Sequence, residues 1–228
     1  MQTDNDKPAT PDLLAWRETQ PRAFPIGSLD PPPKPAPLPV EPPPAKPKTR
    51  RARGERWLPE PHADPKSLPV DRLDAFCDGS GFMDDGDVQP AGIGVVLMWG
   101  NVVLAEVGDP IGEGTNITAE LRAIRRSIYL AATMFPGVPL TVYSDSEWSL
   151  KACSPTCTWS IRDEVQRKLV LAIRKQYVEH GAVKFVWCKG HRGLKDAIDN
   201  PAEERIIRGN NRADELATIG RKTNTDAD

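Results

Sequence analysis

Hydrophobic and polar positions follow different patterns on the two sides of residue 73. Beyond it, short apolar runs bounded by turn residues predict strands at 73–79, 91–98, 101–108, 139–144 and 183–188. Stretches with apolar residues three and four positions apart predict helices at 116–134, 161–179 and about 211–221, and a short helix from about residue 146. This order predicts an α/β fold: a mixed five-stranded sheet, three antiparallel strands leading into parallel strands, flanked by helices.

Local signals support several of these elements. Gly100 and Asn101 form a two-residue hairpin signal between the second and third strands. Thr115 or Asn116 can cap the helix at 116–134, whose apolar face repeats at Ile117, Leu121, Ile124 and Ile128. The helix at 161–179 has an apolar side that comprises Val165, Leu169, Ala172 and Ile173. Both helices are therefore expected to pack one face on the sheet.

Residues 1–70 have a different composition. They hold 18 of the 24 prolines, and their large apolar residues are scattered, so they cannot build a core. We expect a disordered proline-rich tail there, a domain at 71–222 and a short disordered end at 223–228. Six Lys or Arg residues crowd into 46–56. Composition leaves two interpretations of them open, a solvated linker end or a phosphate-binding arm.

Charge and cysteine content add little. The net charge of −2 indicates no partner. Cys77 and Cys188 fall in predicted strands, where reduced, buried thiols are ordinary, and Cys153 and Cys157 lack two further metal ligands at suitable spacing. We find no secretory signal pattern and no apolar run long enough to span a bilayer. We therefore expect a cytoplasmic protein that contacts no membrane.

Four carboxylates stand at the edges of predicted elements. Asp78 and Asp145 end the first and fourth strands, Glu120 borders the apolar stripe of the helix at 116–134, and Asp214 follows Asn211, a plausible helix cap. Each has an ordinary explanation when taken alone. Such residues form turns, cap helices or stabilise the first turn of a helix, where the dipole keeps an acid ionised.

Together the four carboxylates are harder to explain. If the first and fourth strands are neighbours, their carboxyl ends place Asp78 and Asp145 side by side, and Glu120 and Asp214 approach from helices. Four carboxylates in one cleft would repel one another, and divalent cations resolve that conflict. An all-oxygen ligand set favours Mg²⁺, with Mn²⁺ as the alternative. Two such ions about 4 Å apart would stabilise the attacking and leaving oxygens of a phosphoryl displacement.

Five short motifs occur in a fixed order along this part of the chain. They are Asp78-Gly79-Ser80-Gly81, Thr115-Asn116-Ile117-Thr118-Ala119-Glu120-Leu121, Ser144-Asp145-Ser146, Lys189-Gly190-His191 and Asn211-Arg212-Ala213-Asp214-Glu215-Leu216-Ala217. In this order they resemble type 1 ribonuclease H, over roughly residues 72–222. The resemblance implies an endonuclease that cleaves the RNA strand of an RNA–DNA hybrid, leaving 5′-phosphate and 3′-hydroxyl ends. It also implies that Asp78, Glu120, Asp145 and Asp214 are the metal ligands.

The resemblance implies roles at the substrate as well. His191 matches the family's mobile histidine, which would transfer a proton or assist product release. Thr115 and Asn116 match substrate-contacting positions. Main-chain groups at Gly79, Ser80 and Gly81 would approach the RNA backbone, and contacts to the 2′-hydroxyls would separate RNA from DNA. We expect a monomer whose substrate is the hybrid.

Two features depart from the family's pattern. The loop predicted between His191 and Asp214 spans 192–213, which is longer than usual and mixed in charge. We also find no basic helical protrusion after Trp159 of the kind that some bacterial members use to grip hybrids. We hypothesise that the basic segment 46–56 supplies this grip.

Two other classes of function remain open from the residues. One is a transposase, integrase or resolvase acting on DNA, since the same fold would allow it. The Lys-Gly-His motif and the lack of a sequence-specific DNA-binding module argue against this class. The other is a non-catalytic hybrid-binding module, which the presence of all four acids disfavours.

Overall fold

The computed structural model describes residues 57–81 and 89–225. Its strands are β1 (Leu73–Ser80), β2 (Gln89–Trp99), β3 (Val102–Gly114), β4 (Leu140–Ser144) and β5 (Val183–Trp187). Its helices are α1 (Asn116–Met134), α2 (Glu147–Cys153), α3 (Glu164–His180) and α4 (Pro201–Thr225). The basic segment 46–56 and most of the predicted proline-rich tail lie outside the described residues. The predicted order of strands and helices is confirmed.

The five strands form one mixed sheet in the order β3-β2-β1-β4-β5. β1 lies at the centre, antiparallel to β2 and parallel to β4, and β4 is parallel to β5. Gly100 and Asn101 connect β2 to β3, as the hairpin signal predicted, and Gly100 has a positive φ of 56°. The carboxyl ends of β1 and β4 therefore meet at one edge of the sheet, which is the condition that brings their acids together.

Side chains of the central strand alternate between two apolar cores. Leu73, Ala75 and Cys77 face a core that includes Leu121, Ile124 and Ile128 of α1. Phe76 faces a second core with Ala213 and Leu216 of α4. Since both faces of β1 are covered, its side chains are buried almost without interruption, which accounts for the apolar run in the sequence.

Glycines allow α4 to lie very close to the sheet. A Cβ added to Gly94 of β2 would lie 1.9 Å from the carbonyl oxygen of Ala213. A Cβ added to Gly209 of α4 would lie 2.4 Å from the ring of Phe76. The helix that carries Asp214 is therefore held against the centre of the sheet by direct backbone contact.

The last helix begins ten residues earlier than we predicted. Asn200 Oδ1 accepts a hydrogen bond from Glu203 N at 3.2 Å, and Pro201 occupies the first helical position, so these two residues start α4. The prediction of a 22-residue loop at 192–213 was wrong, because its second half is helical. Asp214 consequently lies in the middle of α4, and the expectation that a helix N-terminus keeps it ionised was also wrong.

The third helix also starts later than predicted. Asp163 caps it, since its Oδ1 accepts a hydrogen bond from Gln166 N at 2.7 Å. Val165 then lies in the first turn with 52% of its surface exposed, so its predicted place on the apolar side was wrong. Leu169 and Ile173 are buried, as predicted.

Residues 57–70 lie on the domain, although we had assigned them to the tail. Leu58 is buried in the second core, and His62 N donates to Val103 O at 2.8 Å. Arg208 Nη1 of α4 donates to Trp57 O at 3.0 Å. The described residues before position 71, where we set the domain boundary, therefore pack against the domain. Among the described residues no helix combines the length and the apolar character that crossing a bilayer requires.

Candidate active site

Three of the four predicted carboxylates meet where β1 and β4 end. Asp78 belongs to β1, Asp145 follows the last residue of β4, and Glu120 extends from the second turn of α1. Each offers one carboxylate oxygen, and these oxygens all lie within 4.8 Å of one another. Asp78 and Glu120 are only 8% and 5% exposed, whereas Asp145 is partly accessible. The group therefore opens to solvent on the side of Asp145.

Asp214 lies beside this group rather than within it. Its side chain is 43% exposed, and its Oδ2 lies 3.9 Å from Nδ1 of His191, whose side chain is 81% exposed. The charge of Asp214 is close enough to raise the pKa values of Asp78 and Asp145. α4 and the loop before it thus bring the fourth acid and the histidine to the open side of the group.

Burial and mutual repulsion make the carboxylates hard to ionise together. Desolvation, followed by the charges of Asp145 and Asp214, raises the pKa of Asp78 to about 8. Desolvation and the charge of Asp78 raise the pKa of Glu120 well above its usual value. Desolvation also raises the pKa of Asp145, and the nearby His191 opposes this. A bound cation would remove the cost of ionising these groups.

The predicted substrate-contacting residues border the same edge of the sheet. Thr115 caps α1, with its Oγ1 accepting a hydrogen bond from Thr118 N at 3.2 Å, and Asn116 is the first helical residue. Ser80 and Gly81 are partly exposed next to them. Gly79 is buried, and a Cβ there would lie 2.2 Å from Glu120 N, so this glycine is required for the contact between β1 and α1.

Comparison with known proteins gives the family. The RNase H family model matches residues 71–222, two-thirds of the chain. The chain belongs to the RNase H family. Ribonuclease HI of Streptomyces coelicolor is 30% identical in an alignment 155 residues long, and the match covers 60% of this chain and 62% of that protein. The chain thus spans somewhat less than two-thirds of the length of this relative.

Solved RNase H structures have the same fold, and the predicted ribonuclease H-like architecture is confirmed. RNase H1 of Halobacterium salinarum NRC-1 is 25% identical with a TM-score of 0.52, and the match covers 67% of this chain and 98% of that one. The N-terminal RNase H domain of rv2228c from Mycobacterium tuberculosis is 22% identical, with a TM-score of 0.54 and coverage of 68% and 97%. LC11-RNase H1, solved in complex with an RNA/DNA hybrid, is 22% identical, with a TM-score of 0.52 and coverage of 67% and 98%. At 22% identity these last two show the fold alone.

Several residues that support the RNase H carboxylates were missed in the sequence. Ser144 Oγ donates to Glu120 Oε2 at 3.5 Å, and the side chain of Asn210 lies near enough to Asp145 to lower the pKa of its carboxyl. Trp187 Nε1 donates to the carbonyl oxygen of Asp145 at 3.0 Å. Asn210 lies four residues before Asp214, so a correctly placed start of α4 would have put both on one helix face.

The carboxylate group fits a hard divalent cation. Asp78, Glu120 and Asp145 supply only oxygen ligands, which hard cations prefer. Asp78 and Glu120 are buried, and the group contains no cationic side chain that would balance their charge. Gly190 brings main chain against this ligand set, since a Cβ there would lie 2.0 Å from Asp145 Oδ2. The residues present therefore match the divalent metal that the RNase H family uses.

Proposed function

We propose that this protein is a ribonuclease H that hydrolyses the RNA strand of RNA–DNA hybrids. The observation that carries the proposal is the meeting of Asp78, Glu120 and Asp145 within 4.8 Å at the ends of two adjacent parallel strands. The family match supports the reaction class. The hybrid seen with LC11-RNase H1, which shares the fold, supports the substrate.

Divalent cations would be held by Asp78, Glu120, Asp145 and Asp214. We propose two ions, Mg²⁺ first and Mn²⁺ as the alternative, because hard cations prefer carboxylate oxygens. When bound, they supply Lewis-acid activation of water and neutralise charge on the phosphate, giving 5′-phosphate and 3′-hydroxyl ends. Phosphoryl transfer depends mainly on such positioning and charge stabilisation, so the rigid contact of α4 with the sheet suits it.

The protein's own groups orient this centre and handle the proton. Ser144 donates a hydrogen bond to the Glu120 carboxylate, and the side chain of Asn210 favours the ionised form of Asp145. His191 is exposed beside Asp214, where an imidazole can transfer a proton or help the product leave.

Recognition of the RNA strand would fall to the rim of the cleft. Thr115 offers a hydroxyl for a phosphate, and Asn116 an amide for a nucleotide edge or sugar. Main-chain groups at Ser80 and Gly81 lie next to them, and contacts to 2′-hydroxyls would exclude a DNA strand. We also expect the protein to act as a monomer, which gel filtration would test.

A labelled RNA–DNA hybrid tests this proposal, incubated with and without Mg²⁺ beside single-stranded RNA and duplex DNA. We expect Mg²⁺-dependent cleavage of the hybrid's RNA strand only. Cleavage of duplex DNA would favour a DNA nuclease or transposase-like enzyme. Tight binding of hybrid that needs no Mg²⁺, without cleavage, would favour a non-catalytic module.

A further inference from the structure

The histidine of the candidate active site belongs to the segment between β5 and α4, residues 188–200. His191 has a positive φ of 52°, and its side chain is 81% exposed. An exposed ring on a glycine-flanked segment would be expected to sample many positions. The contacts of the next residue, Arg192, restrict the backbone that carries the ring.

Both the side chain and the main chain of Arg192 are bound by neighbouring groups. Its guanidinium forms an ion pair with Glu203 of α4, and the two side chains are only 22% and 31% exposed. Arg192 Nη2 also donates to Asp196 O at 3.1 Å. Asn211 Nδ2 donates to Arg192 O at 2.8 Å, and Asn211 is 6% exposed. The hydrogen bonds that the charged guanidinium of Arg192 donates are charge-assisted, and such bonds are about twice as strong as neutral ones.

Arg192 can bind Glu203 and Asn211 because α4 begins early enough to contain both residues. Glu203 lies in the first turn of the helix, which Asn200 caps, and Asn211 lies two turns further along. The side chain of Asp196 accepts a hydrogen bond from Gly193 N at 3.1 Å and closes the short 3₁₀ turn Leu194–Ala197. The backbone next to His191 is therefore attached at two separate turns of the helix that carries Asp214.

We propose that Arg192 is a positioning residue, which, through Glu203 and Asn211, holds His191 in place beside Asp214. This inference rests on the proposed function, because it gives His191 a role in turnover. Among the described residues, the hydrogen bonds and the ion pair of Arg192 go to Glu203, Asp196 and Asn211, and none of them goes to the carboxylate group or the cleft rim. Its effect on the reaction therefore passes through the histidine.

The inference predicts a specific kinetic signature. Releasing the segment should lower kcat by about tenfold, because the imidazole is then correctly placed for only part of the time. KM for the hybrid should change little, since Arg192 is not among the cleft rim residues. Arg192→Lys keeps the charge but not the fork geometry, so it should recover part of the loss.

Combining Arg192→Ala with His191→Ala tests this mechanism. We expect Arg192→Ala to lower kcat in the wild type and to change it by less than about twofold in the His191→Ala background. Glu203→Gln should behave like Arg192→Ala. Lys195→Ala, which removes an exposed cation from the same segment, is the matched control and should keep the wild-type kcat. Equal losses from Arg192→Ala in both backgrounds would overturn the inference.

Amide hydrogen exchange on the full chain supplies a second readout that is independent of activity. Without added metal, Arg192→Ala should speed exchange at residues 190–197 and leave β1 and β4 unchanged. Unchanged exchange in that segment, or faster exchange throughout the sheet, would overturn the positioning role. Failure of the wild type to cleave hybrid would instead refute the proposed function. A wild type that cleaves while the two backgrounds respond equally would refute this inference alone.

Discussion

The substitution Asp78→Asn should stabilise the metal-free protein at neutral and alkaline pH, although it removes a metal ligand. Asp78 is buried beside two other acids, and its pKa is raised to about 8, mainly by desolvation. An amide of the same shape carries no charge, so it avoids the cost of an ionised carboxylate in this position. A gain in stability that accompanies a loss of activity is what a buried metal-binding carboxylate predicts.

The sign and size follow from proton linkage. Because the folded-state pKa lies above the usual 3.8, the folded protein holds more protons than the unfolded chain between pH 3.8 and about 8. Stability is therefore fully present below this window and is lost as pH rises through it. At about pH 7 the stability lost through the raised pKa of Asp78 is at most roughly 4 kcal/mol, since each pH unit between 3.8 and 7 contributes about 1.4 kcal/mol. Asn gives up some hydrogen bonds of the protonated acid, so we expect a net gain of about 2 to 4 kcal/mol.

Urea unfolding in the presence of a chelator measures this effect. The wild type and Asp78→Asn should be nearly equal at about pH 4, and the variant should become the more stable as pH rises toward about 8. Asp199→Asn, which replaces an exposed carboxylate, is the control and should show no such divergence. A variant that is less stable than the wild type at alkaline pH, or a difference in stability that does not change with pH, would show that burial does not raise the pKa of Asp78.

Three further predictions test the site, the fold and the tail. Gly190→Ala should lower kcat by about tenfold or more with little loss of stability, because the added Cβ would displace the Asp145 carboxylate. Single-turnover cleavage of the hybrid measures the loss of rate. Arg212→Met should lower the free energy of unfolding in urea by roughly 1.5 to 3 kcal/mol, because it removes the charge-assisted hydrogen bonds from Arg212 to Glu106 and Glu215. Deleting residues 1–56 should weaken hybrid binding and flatten its salt dependence, which titrations at several salt concentrations measure; unchanged affinity and slope would remove the basic segment 46–56 from substrate binding.

The sheet could be predicted because its signals are local. The apolar run of β1, the Gly100-Asn101 turn and the capped helix α1 each need only a few neighbouring residues to be recognised. The first half of α4 does have a local start signal in Asn200 and Pro201, but it lacks the repeated apolar stripe that marks α1, and some of its polar side chains have partners far away in sequence. Arg205, for example, pairs with Asp74 of β1, and both are largely buried. In the sequence alone, a mixed-charge stretch of this kind indicates a loop, because the buried partners of its side chains are seen only in the folded structure.

One topological rule was enough to predict the carboxylate group from the sequence, but it did not predict the residues that contact these carboxylates. Once β1 and β4 are parallel neighbours, Asp78 and Asp145 must lie at the same edge, and α1 places Glu120 above them. Asn210 was missed because its contact with Asp145 depends on the true start of α4. The buried place of Leu58 depends on an apolar surface formed by β1, β2 and β3, which the composition of residues 1–70 does not reveal.

Cleavage of a labelled RNA–DNA hybrid by the Asp145→Asn variant would show whether the gathered carboxylates are the catalytic centre. Asp145 is the most accessible of the three clustered carboxylates, so its replacement should disturb the fold least. We expect the variant to be folded, as judged by circular dichroism, and its Mg²⁺-dependent cleavage to fall by roughly a hundredfold or more. Cleavage at the wild-type rate by the folded variant would contradict this expectation, because the gathered carboxylates would then not be the catalytic centre.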